Sequence, residues 1–134
     1  MTQEDKELLT KDLCCRLDNY SLLVKYGEED YNILGIDFGR VTLVKPLMSV
    51  TSGAPLIEEV KPYLRRMKDM TDKEWEMVHE IDKKRMIFSA RHLTYHIDGE
   101  IIDLFNERNI DWRGLIDKGL ALEATEDMYS HLRM

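Results

Sequence analysis

Four histidines, two cysteines and 26 carboxylates are the side chains of this 134-residue chain that could ligate a metal or move a proton. The stretch His79-Glu80-Ile81-Asp82-Lys83 opens like a zinc-protease helix, but that chemistry needs a second histidine four residues after the first, and Lys83 stands there. His92 and His96 have the spacing of two ligands on one helical face, with Glu100 one turn on. Asp98-Gly99 would break that helix first, so the histidines read as surface side chains. Cys14 and Cys15 are adjacent in a helical stretch, where neighbouring side chains diverge by about 100°. That geometry does not suit a disulfide, and no second pair completes a zinc site, so they read as small, partly buried thiols in a reducing cytoplasm. The chain has no glycine-rich phosphate loop, no GxSxG elbow and no cysteine with a histidine partner near it in sequence. Neither cofactor nor metal is expected, and the balance leans away from an enzyme.

Two stretches have the composition of binding surfaces. In VKPYLRRMKDM (60–70), Tyr63 is interleaved with Lys61, Arg65, Arg66 and Lys68, a combination that holds single-stranded nucleic acid by stacking and phosphate pairing. The same pattern also suits a strand whose Tyr63, Leu64 and Met67 pack inward. In IDWRGLIDKGLALEA (110–124) a tryptophan stands beside an arginine; Trp112, Arg113 and the later Tyr129 are of the types enriched at interface hot spots. Their structural reading is local: Asp111 caps a short helix over 112–118, Gly119 stops it, and Gly114 permits close backbone approach.

The elements that would position these residues follow from periodicity. Residues 2–17 predict a helix capped by Thr2, with Leu9, Leu13 and Leu17 along one face. Residues 21–45 read as a meander of three short strands ended by Pro46, and 49–55 as a loop. Residues 56–64 read as a fourth strand or an irregular edge, and Pro62 limits the segment to an edge position. Thr71 and Glu74 have capping-box spacing and Met70 and Trp75 the spacing of a hydrophobic staple, so a helix starts at 72 with Trp75, Val78 and Ile81 inward. Residues 86–97 fit both a helix and a strand, with a lean to strand. Asp98 then caps a helix over 99–108, ended by Asn109.

Bulk composition bounds the rest. The length suits one domain, 1–134, and 43% hydrophobic with 34% charged residues is ordinary for a soluble globular chain. No apolar run is long enough to span a bilayer, and the acidic start MTQEDKELL is unlike a secretory signal, so a cytoplasmic protein is expected. The net charge of −7 disfavours general nucleic-acid binding, although residues 61–91 hold 9 basic and 6 acidic side chains.

Three pieces, LLTKDLCCRL (8–17), VKPYLRRMKDMT (60–71) and IDWRGLIDKGLALEATEDMY (110–129), carry a resemblance. On them the chain resembles a family of small uncharacterised proteins encoded by gut anaerobic bacteria, their phages and mobile elements. It departs from that family's pattern at Arg66, where members usually have a proline after the preceding arginine, and at Asp18-Asn19-Tyr20, where they have a Pro-Tyr-Gly turn. The resemblance implies a bacterial cytoplasmic or phage-encoded accessory protein and transfers no site residue.

The expected fold is α+β, a small antiparallel sheet over about residues 21–64 packed with an N-terminal helix and three later helices. The expected function is that of a non-enzymatic accessory or regulatory protein acting through protein–protein interaction, with Trp112, Arg113 and Tyr129 as exposed anchors. The alternative is a nucleic-acid-associated factor using Lys61, Tyr63, Arg65, Arg66 and Lys68.

Overall fold

Thr2 starts the first helix as its sequence requires: its hydroxyl accepts the Asp5 N–H (3.1 Å) while the Asp5 carboxylate accepts the Thr2 N–H (3.2 Å). This reciprocal cap satisfies two amides that an uncapped terminus leaves open. The computed structural model describes residues 1–17, 21–46, 51–92 and 99–129, without the side chains of 51–52 and 84–92. The helix is α1 (Gln3–Cys15), and Leu9, Asp12 and Leu13 are its fully buried side chains.

Strands β1 (Val24–Tyr26), β2 (Glu29–Asp37) and β3 (Arg40–Val44) form the expected meander. A short β4 (Thr51–Gly53) follows, then β5 (Val60–Leu64) and, far along the chain, β6 (Leu122–Glu123). The sheet order is β4-β3-β2-β1-β5-β6. Tyr31, Ile33, Val41, Leu43, Val24, Val60 and Leu64 alternate onto one face, where Leu9 and Leu13 of α1 and Leu115, Leu120 and Ala121 close the core. A bulge between Ile33 and Gly35 turns Leu34 out to solvent and returns Ile36 to the core side.

The long helix α2 (Asp72–His92) and α3 (Gly99–Glu107) form a second apolar cluster around Met70, Val78, Phe105 and Ile110, with Trp75, Leu104 and Trp112 packed against it. Met70 and Trp75 make the staple expected at the α2 N-terminus, and Asn109 ends α3 in the left-handed conformation (φ 59°).

The architecture is α+β, with several corrections. The sheet is mixed, since β6 runs parallel to β5 (Tyr63↔Leu122, Leu64↔Glu123), a pairing of residues far apart in sequence that no local pattern announces. The described residues hold three α-helices instead of four. Residues 112–118 form no helix: 112–114 are irregular and a turn begins at 115, because the Asp111 carboxylate takes the Leu115 and Ile116 amides (2.8 and 2.9 Å) while Gly114 (φ 76°) reverses the chain between Asp111 and those amides. Gly114 has nothing within 4 Å of where a Cβ would stand, so its positive φ, and not close approach, is what calls for glycine. The lean to strand fails over 86–92, which continue α2; 93–98 and the Asp98 cap lie outside the described residues. Residues 51–53 of the expected loop are β4. Finally, β5 is not an edge. The Tyr63 N–H points to β1, bonding Leu23 O at 2.9 Å, so Pro62 turns its donorless nitrogen the other way, where β6 pairs only from Tyr63 onward.

Candidate functional site

The turn that joins β2 to β3 has two central residues, Phe38 (φ 50°) and Gly39 (φ 73°), flanked by the pair Asp37↔Arg40. Positive φ at both centres is the signature of the tight hairpin turn that normally carries Asn-Gly. A bulky side chain there is unfavourable by about 1–2 kcal/mol. Phe38 accepts that conformation and is also 95% exposed, so the ring gains nothing from burial either. Neither local propensity nor core packing accounts for a phenylalanine at this position.

Beside the tip lies a cleft of about 550 Å³ between α1 and the segment following β4. Gly39 forms part of its wall, with Lys6, Glu7 and Lys11 on the α1 side and Leu56, Ile57 and Glu58 opposite. The hairpin is fastened to that segment by backbone bonds: Val41 N–H to Pro55 O and Ile57 N–H to Gly39 O, each 2.8 Å. The Arg40 guanidinium adds a bond to Ala54 O (3.0 Å), and the Lys6–Glu58 ion pair (3.1 Å) ties the helix across the cleft. Leu56 remains partly exposed at the rim. Phe38 thus projects from a braced support, the condition for an anchor whose ordering has already been met by folding. The sequence sign was available: an aromatic in Asp37-Phe38-Gly39-Arg40, between two alternating strands, where turn chemistry calls for Asn or Asp.

The residues expected to be anchors are placed differently. Tyr129 is fully buried, so its exposure is corrected: its hydroxyl accepts the Leu23 N–H and donates to Tyr63 O, both at 2.9 Å, standing between β1 and β5 as a bridge. Burial pushes its pKa well above the ordinary tyrosine value, outweighing the Leu23 amide that favours the phenolate. Arg113 lies with its guanidinium 4.0 Å above the Trp112 ring and donates to Asp12 Oδ1 at 3.1 Å. Trp112 Nε1 donates to Asn106 Oδ1 at 2.9 Å and its ring packs on the α2–α3 cluster. Asp12 is also held by Arg16, through bonds of 2.9 and 3.1 Å, and Arg16 reaches Ile110 O at 2.7 Å. Arg113 therefore locks the 110–116 turn to α1 and Trp112 holds it to α3; both keep only part of their surface. Cys14 and Cys15 are exposed free thiols, not partly buried, and the Cys15 sulfur accepts a long hydrogen bond from Arg113 Nη2 (3.8 Å).

The basic segment is largely committed internally. Arg65 is buried in a bidentate pair with Glu74 (2.9 and 2.6 Å), and Arg66 is tied to Asp117 and Glu123 (2.9 and 3.3 Å). The Tyr63 hydroxyl donates to Asp30 at 2.8 Å; burial, then this carboxylate, push its pKa up to about 12. Lys61 and Lys68 are the exposed members, and Lys61 faces Lys25 across the β1–β5 register. His79 is exposed on α2; the His92 side chain and His96 lie outside what is described. Among the described residues no three His, Cys, Asp or Glu side chains converge as a metal site would require.

No protein-family profile, curated protein or solved structure compared with this chain matches it.

Proposed function

We propose that this chain is a non-enzymatic accessory or regulatory protein that works by protein–protein contact, and that the Phe38 hairpin tip with its adjoining cleft is the contact surface. Phe38 carries the reading. Fully burying a phenylalanine side chain is favourable by about 1.5–3 kcal/mol, and in the free protein this ring obtains none of that while holding a disfavoured backbone conformation. A partner that covers it recovers the burial, and the braced hairpin keeps the cost of ordering low. The resemblance of the three motifs to small uncharacterised proteins of gut anaerobes, their phages and mobile elements implies a bacterial cytoplasmic or phage-encoded accessory protein, and this reading follows it.

The nucleic-acid alternative gains nothing from the placement of Arg65 and Arg66, whose charges are already met by carboxylates. The contact reading is tested by immobilising the full chain and Phe38→Asn in parallel against nuclease-treated lysate of the native host. A protein retained by the wild type and lost from Phe38→Asn is the expected result. Identical capture by both forms would refute the assignment of the surface.

A further inference from the structure

We draw no further inference here: the strongest candidate, the surface patch of the Phe38 hairpin tip and the adjoining cleft between α1 and the segment following β4, belongs to the contact surface already described, and nothing in the structure shows what covers it.

Discussion

The Glu74 carboxylate closes the N-terminus of α2 and neutralises buried Arg65 at once: Oε1 accepts the Thr71 amide at 2.9 Å and Arg65 Nη2 at 2.6 Å, and Oε2 accepts Arg65 Nη1 at 2.9 Å. Arg65 in turn holds the chain beyond α3, through its own N–H to Asn109 O (2.7 Å) and its guanidinium to Arg108 O (3.2 Å). One local motif, the capping box, is thereby joined to a long-range clamp. Glu74→Gln should lower stability by about 3 kcal/mol or more, because it strands the Arg65 charge out of water. Urea unfolding at neutral pH measures it, and a loss below 1 kcal/mol would show that the pair is not clamping the turn.

Acid should erase that difference. Burial raises the Glu74 pKa, but the bonds from Arg65 and Thr71, with the charges of Arg65 and Arg108, outweigh it and hold the carboxyl below its ordinary value of 4.5. With the folded value depressed, the contribution is complete above about 4.5 and is lost as pH falls through the lower folded value. The stability gap between wild type and Glu74→Gln should therefore be constant above that pH and narrow below it. A gap that widens toward acid would contradict the assignment.

In the 110–121 turn, Asp111→Ala should cost about 1–2 kcal/mol by freeing the Leu115 and Ile116 amides. Gly114→Ala should cost about 1–2 kcal/mol through its positive φ alone, since open space surrounds the site. Asparagine, which tolerates that conformation, should cost less than alanine there; equal costs would point to a steric origin instead.

Tyr129→Phe removes the hydroxyl bridge between β1 and β5 while keeping the ring buried, and about 1–3 kcal/mol of destabilisation is expected from the Leu23 and Tyr63 groups it leaves. Amide exchange should quicken at Leu23, just ahead of β1, before it does so within the strand. Unchanged protection at Leu23 would mean that the strands close up without the bridge.

Local chemistry was legible in the sequence and long-range pairing was not. The Thr2 and Thr71 caps, the Met70–Trp75 staple, the meander and the Asn109 stop each depend on residues within a few positions, and each is where its pattern puts it. The parallel β5–β6 pair, the burial of Tyr129 under the β1–β5 junction and the Asp12–Arg16–Arg113 group join residues up to about a hundred positions apart, which no periodicity encodes. Trp112 and Arg113 have the types of interface anchors, yet a guanidinium stacked on an indole and paired with a buried aspartate is a packing device as readily as an interface. The candidate site itself left a mark at Asp37-Phe38-Gly39-Arg40, which is visible only when a residue is judged against the turn it must adopt.

The claim that Phe38 serves contact and not folding is tested most directly by urea unfolding of Phe38→Asn. Asparagine suits the left-handed position, so the account predicts stability equal to the wild type or greater by up to about 1 kcal/mol. A loss of more than about 1 kcal/mol would give Phe38 a place in the fold and contradict the central claim.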